Sequence, residues 1–192
     1  MKILSFDMGK TYSGWSLLDS SCVIHRSGLI QHPVDCMIFP TFNQQIAAFT
    51  IEIKGILQLC DLNKNNNDVI VFERLMTRPG RGCGGVVEVC NFMLGIISQL
   101  TDVAMIPVCA CTWKNFYKKK FGTNISSDLL NFLNLKTMHE CDSILIGCHH
   151  LIKNSSADED MHTKLKLSTD YVSSGDVKKS LKKKKKTVKK SL

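Results

Sequence analysis

The sequence has no run of eighteen or more apolar residues, so no segment is long enough to cross a bilayer core as a helix. Lys2, Asp7 and Lys10 interrupt the N-terminal region too early for the apolar stretch of a secretory signal. Together these absences predict a soluble, intracellular protein with no membrane partner. No Cys-x-x-Cys pair occurs, and the nine cysteines are odd in number and irregularly spaced, which argues against a disulfide framework. Cys22, Cys36, Cys60, Cys83, Cys90, Cys109, Cys111, Cys141 and Cys148 lie mostly in apolar segments and read as reduced core thiols. A zinc site from Cys141, Cys148, His149 and His150 would lack the paired spacing of structural zinc centres, because all four fall within one expected helix. Acid is missing altogether from 178–192, where nine lysines stand. The chain carries 25 basic and 17 acidic residues, so the body before that run has 16 basic against 17 acidic, a net of −1. The positive excess therefore belongs to a tail that is expected to stay disordered and to be available to phosphates or to a nuclear import receptor.

What is present is the alternation of an α/β domain. Residues 2–8 form a short strand-like run ending in an acid, a turn-prone GKTYSG follows, and Trp15 to Leu18 begin a second strand of the same hairpin. A third strand is expected over Cys22 to Ile30, weakened by Gly28. Ile46, Phe49, Ile53, Ile56 and Leu57 recur at helical spacing from about Asn43 to Cys60, and Asn63 to Asn67 break the pattern. Asp68 to Glu73 then reads as a buried strand, so the helix before it is a crossover of a βαβ unit. A loop, Arg74 to Gly85, precedes a helix to about Leu100 and a strand from Val103 to Val108. Trp113 to Phe121 is basic and amphipathic, Ser126 or Ser127 is placed to cap a short helix through Leu133, and His139 to Ile152 forms a last helix. These elements predict one domain over 1–153, a polar linker over 154–177 and the lysine-rich tail over 178–192.

Three acids stand at element ends: Asp7 in the first strand, Glu73 closing the fourth, and Asp142 near the start of the last helix. Carboxylates among Ile3, Leu4 and Phe6, or after Ile70, Val71 and Phe72, are costly to bury without a compensating cation. Hard divalent ions such as Mg²⁺ or Mn²⁺ provide that compensation and leave positions for water and phosphate oxygens. His139 precedes Asp142 by three residues and shares its helix face, whereas Glu140 and Cys141 point elsewhere. Two ions about 3.5–4 Å apart at such a site would suit phosphodiester hydrolysis.

The residues that carry this chemistry resemble a family. Asp7-Met8-Gly9, followed by Gly14-Trp15, resembles the D-x-G-x-x-x-x-G-[WY] opening of the RuvC-type Holliday junction resolvases. Val69 to Arg74, then the helix with Val87, Asn91, Leu94 and Gly95, resembles the family's strand ending in a catalytic glutamate and the helix after it. His139-Glu140-Cys141-Asp142-Ser143 resembles its terminal [DH]-x-x-D-[AS] motif. The three blocks are correctly ordered and span about residues 3–150.

The resemblance implies an RNase H-like (RuvC-like) mixed β-sheet with flanking helices, and Asp7, Glu73, His139 and Asp142 as the catalytic, metal-binding set for two Mg²⁺ or Mn²⁺ ions per active site. Histidine in place of the third aspartate occurs in the family and would alter metal preference, because imidazole suits softer ions. It also implies a homodimer that cuts opposing strands of a four-way DNA junction, a two-fold protein on a two-fold substrate. Arg74, Arg78 and Arg81 in the loop, with Lys114, Lys118, Lys119 and Lys120, are the expected DNA contacts. A short chain with a lysine tail suits a compact member from a large DNA virus or phage, working in the nucleus or at a cytoplasmic viral replication site.

Three other readings stay open. Another RNase H-like nuclease, acting on flaps or RNA–DNA hybrids, would share the same acids. Asp7-Met8-Gly9-Lys10-Thr11 also resembles the first phosphate loop of sugar kinases and actin-like ATPases, although that reading leaves Glu73, His139 and Asp142 without a role. A basic-tailed module that binds DNA without cutting it is the third.

Overall fold

Alternation along the first strand, β1 (Lys2–Asp7), divides the molecule: Ile3 faces one core while Leu4 and Phe6 face another, and Asp7 shares the side of Ile3 and Ser5. A computed structural model describes residues 1–9, 11–32, 41–74, 84–121, 125–154 and 166–173. β1 runs antiparallel to β2 (Tyr12–Asp19), with Asp7 opposite Gly14, and β2 runs antiparallel to β3 (Val23–Gln31). Helix α1 (Phe42–Cys60) and a single 3-10 turn at Lys64–Asn66 lead to β4 (Val69–Arg74), which lies parallel to β1. Then come α2 (Gly84–Leu100), β5 (Ala104–Cys109), α3 (Ala110–Phe121), α4 (Ile125–Phe132), α5 (Met138–Asn154) and β6 (Lys166–Ser173). The sheet order is β5-β4-β1-β2-β3-β6, the mixed sheet that the sequence predicts, with one more strand.

Helices cover both faces. Leu4, Phe6, Ile70 and Phe72 pack against Phe49 and Ile53 of α1 and Met93 and Ile97 of α2. On the opposite face Ile3, Leu18 and Val71 meet Ile144, Leu145 and Cys148 of α5, with Trp113 and Tyr117 of α3 and Leu129 of α4 outside them. Each such side chain contributes about 1.5–3 kcal/mol when fully buried, so either layer alone outweighs the polar contacts below. α5 is buried on nearly every side from Glu140 to Ile152, the mark of a central helix rather than a surface one. Gly147 lets it lie close to the sheet: a Cβ there would stand 2.8 Å from Leu18 Cδ1 and 2.9 Å from Ser5 Oγ.

Two local features fix the register that matters. Buried Asp68 accepts from the Lys2 amide at 2.6 Å and the Asn63 amide at 2.9 Å, pinning the start of β4 to the start of β1. Phe6 consequently sits beside Phe72, and Asp7 and Glu73 follow one residue on, both on the α5 side. In β3 the pairing slips between Ile24 and Arg26, so Ile24 packs on the α5 face and Ile30 on the α1 face despite their even separation.

β6 falls within 154–177, which was expected to be linker, and α5 itself runs to Asn154. β6 pairs in parallel with β3. The period-two pattern Leu165, Leu167, Thr169, Tyr171 is the signal for a strand, masked in the sequence by the polar residues around it. Among the described residues no helix is long and apolar enough to cross a membrane. The lysine tail lies outside the described residues.

Candidate active site

The site forms where the N-terminus of α5 crosses the β1–β2 hairpin. Thr137 starts α5: its carbonyl accepts from the Cys141 amide and its hydroxyl oxygen from the Glu140 amide. Glu140 points away from the acids, accepting from Ser27 Oγ of β3 at 2.9 Å and from Thr137 Oγ1 at 3.2 Å. Beneath this first turn lies Gly14, where a Cβ would collide with the His139 carbonyl and stand 2.7 Å from the Glu140 amide nitrogen. Only a residue without a side chain lets the helix end rest directly opposite Asp7. Gly9 likewise leaves room for the Tyr12 carbonyl and the His139 ring. Its amide donates to Ser13 Oγ, which is 2.8 Å from His32 Nε2, so a buried serine–histidine pair braces the hairpin turn.

Four side chains meet above that platform. His139 Nδ1 is 2.6 Å from Asp7 Oδ2, across 132 residues of sequence. Burial first, then a hydrogen bond and like charge from Asp7, pushes the Glu73 carboxyl up to about 8, and Asp142 adds to the repulsion. Lys114 Nζ of α3, 3.6 Å from Glu73 Oε1, opposes that shift without cancelling it. Burial also raises Asp142, against the lowering effect of Ser126 Oγ, which donates to Asp142 Oδ1 at 2.6 Å. The hydrogen bond to Asp7 raises His139 and favours its cationic form. Asp7 and Glu73 are 5% and 4% exposed, which places two carboxylates in a low-dielectric wall with one partly exposed lysine near them.

The donor set fits a hard divalent cation. Three carboxyl groups and one imidazole lie within electrostatic reach of one another: burial and like charge raise Glu73, the bond to Asp7 raises His139, and Lys114 opposes the shift at Glu73. A bound cation would relieve the repulsion among these carboxyl groups. Among the described residues no group of three or more His, Cys, Asp or Glu stands in ligating array, and Asp7 is bonded to His139. Beside the acids a recess of about 200 Å³ opens between α3, α4 and α5, lined by Trp113, Lys114, Tyr117, Lys118, Ile125, Ser126 and Asp142.

No family model matches the sequence, and no curated protein matches it either. Solved structures do. Thermus thermophilus RuvC in complex with a Holliday junction substrate superposes with a TM-score of 0.57 at 12% identity, covering 80% of this chain and 94% of that one. The fold is RuvC-like. A second structure of Thermus thermophilus RuvC gives 0.56 at 11% identity, over 80% of this chain and 95% of that one. The yeast mitochondrial Holliday junction resolvase Ydc2 gives 0.50 at 8% identity, over 78% of each chain.

Within this RuvC-like frame the structure joins Asp7 and His139 by a direct bond and sets Glu73 and Asp142 within electrostatic reach of Asp7. The cationic residues divide. Lys114, expected as a DNA contact, turns to Glu73. Lys118 lines the recess beside Asp142, while Lys119 and Lys120 are not among its lining residues. Arg74 is exposed one residue past Glu73, and Arg78 and Arg81 lie outside the described residues, as does Lys10. Ser126 and Ser127 are not caps: α4 begins at Ile125, Ser126 serves Asp142, and Ser127 points to Met138 Sδ. The zinc alternative has no geometry behind it, since Cys141 and Cys148 are core residues and His149 has neither ring nitrogen bonded. Sequence reading missed Ser13, His32 and Ser126, whose partners are 19 and 16 residues away. It also passed over Thr137 as the residue whose hydroxyl accepts from the Glu140 amide at the start of α5, although the Thr-x-x-Glu spacing is legible in the sequence.

Proposed function

We propose that this protein is a metal-dependent endonuclease that resolves four-way DNA junctions, and that it acts as a homodimer. The observation that carries the reading is the convergence of Asp7, Glu73, His139 and Asp142 under the first turn of α5 in a RuvC-like fold. Asp7, Glu73 and Asp142 would hold Mg²⁺ or Mn²⁺, two ions per site, with His139 as the fourth ligand after loss of its proton. When bound, such ions polarise the phosphodiester and acidify a water molecule for hydrolysis. Ser126 fixes the Asp142 carboxylate in one orientation, and Lys114 offsets charge at Glu73 and stands ready to meet a phosphate oxygen. Lys118 and Arg74 would supply positive charge around the cut, with Lys119 and Lys120 on the same helix end as Lys118; Arg78 and Arg81, outside the described residues, stay expected DNA contacts. The lysine tail adds long-range attraction that reads charge and not geometry.

The deciding experiment compares cleavage of a four-way junction, a flap, an RNA–DNA hybrid and a linear duplex by the purified protein, in Mg²⁺ and in Mn²⁺. Paired nicks at opposing positions of the junction are the expected result. Faster cutting of the flap or hybrid would reassign the protein to another nuclease activity of the same fold. Binding without cutting under both metals would make it a DNA-binding module, and saturable ATP binding would favour the ATPase reading.

A further inference from the structure

Of the nine cysteines, five are buried in the described structure: Cys22, Cys60, Cys90, Cys141 and Cys148. Burial pushes Cys60, Cys90 and Cys141 up to about 12, so these thiols are poor nucleophiles at neutral pH. Cys109 and Cys111 differ in placement. Cys109 closes β5 and is half-buried, Cys111 lies in the first turn of α3 and is exposed, and their sulfurs are 2.9 Å apart. The sulfurs need to approach by less than about 1 Å to reach a disulfide bond of about 2.05 Å. The two thiols are also unlike each other. A hydrogen bond from Cys111, reinforced by the backbone amides of Cys111 and Thr112, lowers Cys109, while the same pairing raises Cys111. One sulfur is thus favoured as attacking thiolate and the other as the resolving thiol.

We propose that Cys109 and Cys111 form a redox-active dithiol, a modification site for small-molecule disulfides separate from the acidic centre. The Cys109 thiolate attacks one sulfur of the disulfide RSSR, forming a mixed disulfide and expelling RS⁻, which takes up a proton. Cys111 then loses its proton and attacks the Cys109 sulfur, forming the internal disulfide and releasing the second thiol. The net change is two protein thiols plus RSSR giving one protein disulfide plus two RSH: the protein sulfurs are oxidised and the small disulfide is reduced. The ring so closed spans Ala110, where β5 passes into α3, and Lys114 stands three residues beyond Cys111 on that helix. Cys109 is also paired with Arg74, next to Glu73, so the modification lies at the edge of the proposed nuclease site without using its residues.

The test treats the full-length protein with glutathione disulfide, blocks remaining thiols with an alkylating agent, and maps peptides without reduction. Mapping is needed because Cys36 and Cys83 lie outside the described residues. The expected product is a peptide holding Cys109 and Cys111 that has lost two hydrogens, gains no alkyl group, and returns to the doubly alkylated form after prior reduction. Cys111→Ser should stop the reaction at the mixed disulfide, leaving Cys109 carrying glutathione, whereas Cys109→Ser should slow capture at Cys111 by at least several-fold. Full alkylation of both cysteines after prolonged treatment, or wild-type protein that ends with stable glutathione caps and no internal disulfide, would overturn the proposal. Neither readout depends on DNA cleavage, so failure here leaves the proposed nuclease function untouched.

Discussion

The two faces of the sheet are built from alternate residues of the same strands and yet have opposite characters. On the α1–α2 face, Leu4, Phe6, Ile70 and Phe72 meet a nearly continuous apolar layer. On the α5 face the same strands present Ser5, Asp7, Ser16 and Glu73, and α5 answers with Glu140, Ser143, His149 and His150, all buried. Ser5 and Ser16 share a hydrogen bond at 2.8 Å and Ser27 donates to Glu140, so much of this polarity is paired. Both faces bury apolar layers, but only the α5 face also accepts a cost to hold charged groups in place.

The sharpest break between the faces should come from removing charge without shape. Asp7→Asn, Glu73→Gln and Asp142→Asn are each expected to lower junction cleavage by about 10²–10³-fold or more. Junction binding should persist, because affinity comes mainly from phosphate contacts. Single-turnover rates and binding titrations on the same preparations check this, and near wild-type rates in any two variants would remove the acids from the mechanism. The opposite face should respond in stability: Ile53→Ala, at a fully buried position of α1, is expected to cost about 2–5 kcal/mol in denaturant unfolding. Its cleavage rate per folded molecule should stay near wild type.

Gly14→Ala tests the contact that joins the faces' two roles. The added methyl meets the His139 carbonyl, so α5 must shift, at a cost of about 1–3 kcal/mol. Cleavage should fall further than that loss of stability explains, because His139 moves away from Asp7. A variant that loses stability but keeps its full rate would show that the site tolerates the displacement.

How far this division could be read in advance follows from the distances involved. The short apolar runs placed Asp7 and Glu73 at strand ends, and three-residue spacing placed His139 with Asp142, because those relations are local to an element. The helix before Asp68 implied that the fourth strand runs parallel to an earlier one, without saying which; the structure makes it β1. What sequence could not supply was anything set by packing between elements distant in the chain. Lys114 looked like a solvated DNA contact until α3 was laid beside β4, and Ser126 looked like a cap until α4 met α5. Ser27 and Glu140 are 113 residues apart, and no local pattern links them. β6 was hidden for another reason: its alternation is carried by few large side chains within a polar stretch.

The smallest expected effect probes polarity on the α5 face that has no catalytic part. His149 is 4% exposed with both ring nitrogens unbonded, and burial, then Lys153 and His150, lowers its imidazole to about 4. The unfolded chain takes up a proton below about 6.5 that the folded chain refuses, so this stability is present above about 6.5 and is lost as pH falls towards the folded value. His149→Leu should therefore stabilise the protein modestly at pH 7 and more at pH 5. Denaturant midpoints at the two pH values measure it, with His150→Gln as a control because burial lowers that ring as well. An equal shift at both pH values would mean that His149 is not the group that titrates.

The 132 residues between Asp7 and His139 also set a timetable. During synthesis β1 and its hairpin emerge first, β4 brings Glu73 only after α1 has been made, and α5 arrives after every other layer is in place. A growing chain that has already folded its α1–α2 side still lacks two of the four groups. Assembly of the four-residue cluster is thus deferred until nearly the whole domain has left the ribosome, and a chain that stalls early never forms it.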